Sequence, residues 1–201
     1  MEENITLLSE NFQIEGRLGR NDTDKGVVIT HPHPLYGGDM HNSVVETIMQ
    51  AYRQKGFTTL RFNFRGVGAS QGSYADGIGE QADVRAALSH LTDLGISRLD
   101  LAGYSFGAWV NAHLMCQQDG IQAMVMVSPP VAFIGFDAID TISCLKLVVS
   151  GSHDDIAPPH LITPLKAKWC PQARFEIIAE ADHFFFGHLG RLREVLAANI
   201  L

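Results

Sequence analysis

The pentapeptide Gly103-Tyr104-Ser105-Phe106-Gly107 holds a serine between two glycines. It stands where a short apolar run over 99–102 gives way to a helical stretch over 108–118. A serine on so sharp a strand-to-helix turn has a strained backbone, and glycine two residues to either side lets strand and helix pass without Cβ contact. Its hydroxyl is presented at the amino end of a helix, where the dipole and the free amides favour negative charge on a substrate oxygen. The chemistry of such a site is nucleophilic attack by Ser105 Oγ on a carbonyl carbon. The plainer alternative is a tight turn with no chemistry; the strand before it and the helix after it weigh against that.

A serine hydroxyl is a weak nucleophile near neutral pH and needs a base, itself oriented by an acid. Both follow downstream, each just after an apolar run: Gly151-Ser152-His153-Asp154-Asp155-Ile156-Ala157-Pro158 after 145–150, and Ala179-Glu180-Ala181-Asp182-His183-Phe184-Phe185 after 175–178. Serine, acid, histidine is the order that this type of elbow expects. Either Asp154 or Asp155 could serve. The register of Ile156-Ala157-Pro158, in a loop whose common form is Gly-x-x-Asp followed by one residue, an aliphatic, a small residue and Pro, selects Asp154. Asp155 is then an exposed turn residue or a helix cap, and Asp182 is solvated or orients its loop. His90 and His113 fall inside predicted helices and read as surface or packing residues. His188, the rival to His183, falls within the predicted final helix.

Acyl transfer also needs two N–H donors for the oxyanion. Phe106 supplies one. The other is expected from His31-Pro32-His33-Pro34-Leu35-Tyr36-Gly37-Gly38, which follows an apolar run over 26–31. Pro32 and Pro34 have no N–H, which leaves Leu35 or Tyr36. The same segment has a competing reading, since His31-x-His33 with Asp39 and His41 could hold a divalent metal. The proline between the two histidines restricts how both could point at one ion, and no closely spaced Asp-His follows. No metal and no organic cofactor are therefore expected.

These residues need elements to position them. Alternation of Phe12, Ile14 and Leu18 reads as a strand, followed by strands over 26–31, 57–62, 99–102, 123–127, 145–150 and 175–178. Helices read between them: one from an Asn42 cap to Gly56 with Val44, Val45, Ile48, Met49 and Tyr52 on one face, one with Val84, Leu88, Leu91 and Leu94 closed by Gly95, the stretch after the serine, one before 175, and a last one running to Leu201. Alternating strands and helices predict an α/β fold: a doubly wound, mainly parallel sheet with helices on both faces and functional groups at the carboxyl ends of its strands. No repeat or linker interrupts the pattern, so residues 1–201 read as one domain.

Composition narrows the partners. With 46% hydrophobic and 18% charged residues, the chain can bury roughly 70% of its unfolded surface without disulfide or metal staples. A net charge of −7 disfavours nucleic acid, which wants a basic field. MEENITLLSE lacks the basic region and apolar stretch of a secretory signal. The apolar stretch 123–136, broken by Ser128-Pro129-Pro130, is too short to span a bilayer. Cys116, Cys144 and Cys170 match neither a zinc spacing nor a disulfide framework, which fits the reduced cytoplasm. Gly66-x-Gly68 is not completed as a dinucleotide fingerprint, because Gln71 stands where the third glycine belongs.

Taken in order, HPHPLYGG, RFNFRGVGASQG, GYSFG, GSHDDIAP and ADHFFF span residues 31–186. In these motifs the chain resembles the α/β-hydrolase superfamily, and within it the small bacterial members with a dienelactone-hydrolase-like core. The resemblance implies Ser105, Asp154 and His183 as a catalytic triad, with Phe106 and the Leu35-Tyr36 turn as oxyanion donors. Dienelactone hydrolase itself uses a cysteine nucleophile, and no cysteine of this chain lies at the elbow, so its substrate does not transfer. Many α/β-hydrolases insert a lid after the strand that follows the elbow helix; here only 128–142 separates two predicted strands, so a lidless, open site is expected. Phe133, Ile134 and Phe136, with Tyr36, Phe106 and Phe184, then either line an apolar acyl pocket or are in part core residues. The expected substrate is a small carboxylic ester, with thioesters and lactones behind it. The alternative from another class is a catalytically silent hydrolase fold used as a binding module.

Overall fold

In the computed structural model, which describes residues 2–116 and 120–200, the β-branched runs become the centre of one eight-stranded sheet. β1 (Glu3–Ser9) and β2 (Phe12–Gly19) form an antiparallel hairpin at one edge. β3 (Lys25–Thr30), β4 (Thr58–Phe62), β5 (Arg98–Tyr104), β6 (Ala123–Val127), β7 (Leu145–Gly151) and β8 (Arg174–Ile178) run parallel to one another. Val27, Val28 and Ile29 are wholly buried, as strands covered on both faces require.

Helices supply that cover. α2 (Ile78–Asp93), α3 (Phe106–Met115) and α4 (Pro159–Trp169) pack on one face, while α1 (Ser43–Gln54) and α5 (Leu189–Asn199) pack on the other. α1 begins as the sequence predicts: Asn42 Oδ1 accepts the Val44 N–H at 2.9 Å. α3 starts at Phe106, directly behind the serine, rather than at 108; Gln118, placed in this helix from sequence, lies outside the described residues. Leu201 lies outside them as well; α5 ends at Asn199, and His188 precedes α5 instead of lying within it. β1 has no counterpart among the predicted strands. It is an edge strand of which only Leu7 and Ser9 are buried, too little for an apolar period to register. No helix among the described residues is long and apolar enough to cross a membrane.

The strand order is β1-β2-β4-β3-β5-β6-β7-β8. After β3 the chain steps to β4 on one side, then returns past β3 to lay down β5 on the other. β3 and β5 are thus neighbours whose outgoing loops lead to helices on opposite faces, α1 and α3. Such a reversal opens a crevice at the carboxyl ends of the strands. The glycine-rich loop after β4 is fixed to the sheet edge instead: Arg65 pairs with the buried Asp83 at 2.8 Å, and Glu15 takes Asn63 Nδ2 and the Ala69 N–H, each at 2.6 Å. Gly68 (φ 58°) is needed there because a Cβ would lie 2.5 Å from Asn63 Nδ2.

Candidate active site

Ser105 sits at the β5–α3 junction with φ 53° and ψ −119°, a conformation that costs a non-glycine residue about 1–3 kcal/mol. Packing enforces it. A Cβ at Gly103 would fall 2.6 Å from Ala108 N, and one at Gly107 would fall 2.5 Å from Thr30 Oγ1. The glycines therefore let α3 start hard against β5 and β3, with Ser105 at its head. The Phe106 N–H is the first of α3 and has no intrahelical acceptor.

The structure brings Ser105, His183 and Asp154 together. His183 Nε2 is 3.0 Å from Ser105 Oγ, and its Nδ1 is 3.0 Å from each Asp154 oxygen. Asp154 Oδ1 also accepts the N–H groups of Ile156 and Ala157 at 3.0 and 2.7 Å. Burial pushes the Asp154 carboxyl up, but the hydrogen bond and charge of His183 and the Ala157 amide outweigh it and hold the group below the usual carboxylate range. Asp155, next to it, is exposed and caps no helix.

The loops that carry acid and base are laced to each other. His153 N–H donates to Ala181 O and Ser152 N–H to Ile178 O, both at 2.9 Å. Gly151 permits this approach, since a Cβ there would strike the Ala181 backbone. Asp182 orients its loop, with Oδ1 accepting the N–H groups of Phe184 and Phe186 at 3.1 and 3.2 Å. The buried Tyr104, the residue before the serine, donates its hydroxyl to His183 O at 3.0 Å. Its role was not visible in the sequence; its place next to Ser105 on a buried strand is the signal that could have shown it.

The loop after β3 corrects the sequence reading. Leu35 and Tyr36 are exposed, and their amides are already used: Leu35 N–H bonds His33 Nδ1 at 3.2 Å and Tyr36 N–H bonds His33 O at 3.1 Å, within a 3₁₀ turn over Pro34–Tyr36. Among the described residues the His33 N–H has no acceptor, and His33 lines the same cleft as Ser105 and Phe106. The signal was the pair of prolines, which flank this single amide.

His31 is wholly buried, with Nδ1 donating to Pro32 O at 2.6 Å and Nε2 accepting the Phe64 N–H at 3.0 Å. Burial pushes its imidazole down to about 4. Both ring nitrogens being engaged, His31 joins two loops and is not available to a metal. Among the described residues no group of three His, Cys, Asp or Glu side chains could hold an ion.

A cleft of about 530 Å³ opens over Ser105. Phe133, Ile134 and Phe184 line it, together with Tyr36, Phe106, Pro130 and Ile156, and it contains no Asp, Glu, Lys or Arg side chain. Phe136 does not line it. The turn over 130–134 and the bond from Trp109 Nε1 to Gly135 O at 2.9 Å send Phe136 into the core, where its ring lies 5.0 Å from Trp169. No helix or strand intervenes between β6 and β7.

No family model matches the chain. An uncharacterised protein of Rickettsia prowazekii (strain Madrid E) is 34% identical over 185 residues, which are 86% of this chain and 78% of that protein. Among solved structures, an α/β serine hydrolase homologue from Coxiella burnetii is 34% identical with a TM-score of 0.93, over 99% of this chain and 97% of that one. A serine hydrolase without a lid from Xanthomonas campestris is 29% identical with a TM-score of 0.87, over 98% and 93%. An esterase from Pyrococcus furiosus, 19% identical with a TM-score of 0.78 over 100% and 94%, shares the fold. Because the 34% identity to the Coxiella structure extends over nearly the whole of both chains and accompanies the same fold, the chain belongs to the α/β-hydrolase superfamily and is a hydrolase of that fold.

Proposed function

We propose that the protein is a serine esterase that cleaves small, uncharged carboxylic esters through an acyl-enzyme. The observation that carries this reading is the unbroken run of 3.0 Å contacts from Asp154 through His183 to Ser105 at the foot of the open cleft. His183 Nε2 takes the proton of Ser105 Oγ as that oxygen attacks the ester carbonyl, and Asp154 stabilises the imidazolium. The N–H groups of Phe106 and His33 hold the oxyanion. Collapse of the tetrahedral intermediate passes the proton from His183 to the departing alcohol, and water, activated by the same imidazole, releases the acid. No step needs a metal or organic cofactor.

Substrate chemistry follows from the lining. With no charged side chain in the cleft, an ionised acyl or alcohol group near the carbonyl would be desolvated without a partner. Large thioesters bearing phosphates would find no basic residue there, so short-chain esters, then small lactones and simple thioesters, fit better. Three free thiols support a reducing, cytoplasmic setting.

Hydrolysis of p-nitrophenyl acetate and butyrate tests the reading. Ser105→Ala and His183→Ala, with unchanged circular dichroism, should each lose at least about 10³-fold in kcat. Turnover surviving Ser105→Ala would overturn the mechanism.

A further inference from the structure

Within residues 33–38 of the loop after β3, every amide but one is bonded inside the loop. Between His33 and Gly38, Pro34 has no N–H, and four of the remaining five amides are bonded within the loop: Leu35 to His33 Nδ1 at 3.2 Å, Tyr36 and Gly38 to His33 O at 3.1 and 3.0 Å, and Gly37 to Pro34 O at 3.3 Å. Three of these four bonds end on His33 itself. The fifth amide, that of His33, is the one without an acceptor among the described residues. The bonds to its ring and carbonyl hold the His33 Cα and the turn that follows, and His31 Nδ1, donating to Pro32 O at 2.6 Å, holds the peptide unit that carries the His33 N–H. The His33 ring is held in turn, 4.6 Å from Phe106 and 5.1 Å from Tyr74 between centroids, with Nε2 at 3.4 Å from the Tyr74 hydroxyl. Since Nδ1 accepts a hydrogen bond, the proton of the neutral imidazole is on Nε2 and points to the Tyr74 oxygen.

We propose that the His33 imidazole is a positioning group for the oxyanion site: by closing the 33–38 loop on itself, it holds the His33 N–H toward the substrate carbonyl. This rests on the esterase reading above. The imidazole neither takes nor gives a proton in the reaction. What the loop requires at this position is an acceptor in the place of Nδ1, not an imidazole as such. Asparagine offers one at similar reach, and its side chain readily bonds the backbone N–H two residues on. The competing reading is that the ring is merely packing within the Tyr36, Tyr74 and Phe106 cluster.

Two substitutions separate these readings. His33→Asn discards the aromatic contact and keeps the acceptor; His33→Leu keeps the bulk and discards the acceptor. Positioning predicts that His33→Asn holds kcat within about 3-fold while His33→Leu lowers it roughly 30-fold at nearly unchanged KM, because an oxyanion donor acts in the transition state. Tyr74→Phe should cost about 3-fold in kcat in the wild type and nothing further in His33→Asn, where no imidazole meets the phenol. Should His33→Leu fail to fold, His33→Ala reads the same loss. Retention of kcat in the Leu or Ala variant, or an equal fall in the Asn variant, overturns the proposal. Wild-type protein that neither turns over esters nor reacts with a fluorophosphonate sinks the esterase reading itself; wild-type turnover with Asn and Leu variants alike sinks the positioning role alone.

Discussion

Asp154 and Asp155 carry the same carboxyl one residue apart, yet one is buried against His183 and the other lies in solvent. Asp154→Asn preserves the shape of that contact but no longer stabilises the imidazolium or selects its tautomer, and should cost about 10³- to 10⁴-fold in kcat. Asp155→Asn should stay within about 2-fold, as solvated surface changes do. Steady-state rates on one ester, compared in parallel, decide between the two; a large loss in the Asp155 variant would contradict the assignment. The serine, the histidine and this acid were legible in the sequence because each follows an apolar run and a loop of fixed register. His33 was not. A side chain that bonds two residues ahead changes which amides are free, and residue types alone do not reveal that. Phe136 could be read as cleft or core for a related reason: residue types do not reveal the turn over 130–134 and the Trp109–Gly135 bond that precede its entry into the core.

The elements locate those residues by close approach rather than by flexible reach. α3 can begin at Phe106 only because Gly103 and Gly107 leave its first turn in contact with β5 and β3. Gly107→Ala puts a methyl against Thr30, the last residue of β3, and against the His31 carbonyl just after it, where the chain enters the His33 loop. Overpacking of this kind costs about 1–3 kcal/mol, and here it moves the Ser105 turn and the His33 loop apart. The expected outcome is a Tm lower by roughly 2–12 °C together with a fall in kcat of at least about 10-fold, a 1 Å misplacement being enough for more than that. A variant with lowered Tm and full kcat would show that this packing does not set the site. The interior strands were readable from short, β-branched, continuously apolar runs. β1 was not, because an edge strand is stabilised by its backbone pairing to β2 and exposes most of its side chains.

At the scale of the whole molecule, an acidic protein of net charge −7 places an uncharged cleft at the carboxyl ends of its central strands. Exposed charges are screened by salt, whereas a neutral substrate in a neutral cleft feels little of that. kcat/KM for a neutral ester should therefore change less than about 2-fold between 20 and 500 mM NaCl; a steep salt dependence would point to a charged binding surface. Away from the cleft, Asp100 at the amino end of its strand is 5% exposed, and burial pushes its carboxyl up to about 6 against the charges of Arg98 and Lys25. In the unfolded chain such a carboxyl titrates near about 4. Its contribution to stability is therefore present below about 4 and lost as the pH rises through about 6, so that at pH 8 the buried carboxylate costs on the order of 2 kcal/mol. Asp100→Asn should raise Tm at pH 8 by roughly 4–8 °C, the gap closing toward pH 4; thermal melts across that range check it, and an unchanged Tm at pH 8 would refute the sign. The central claim concerns Ser105 as a nucleophile activated by His183. Its most direct measurement is reaction of the folded protein with a fluorophosphonate probe, followed by peptide mass mapping. The account predicts one adduct, on Ser105, formed by the wild type and nearly abolished in His183→Ala. A folded wild type that stays unlabelled, or carries its adduct elsewhere, would contradict it.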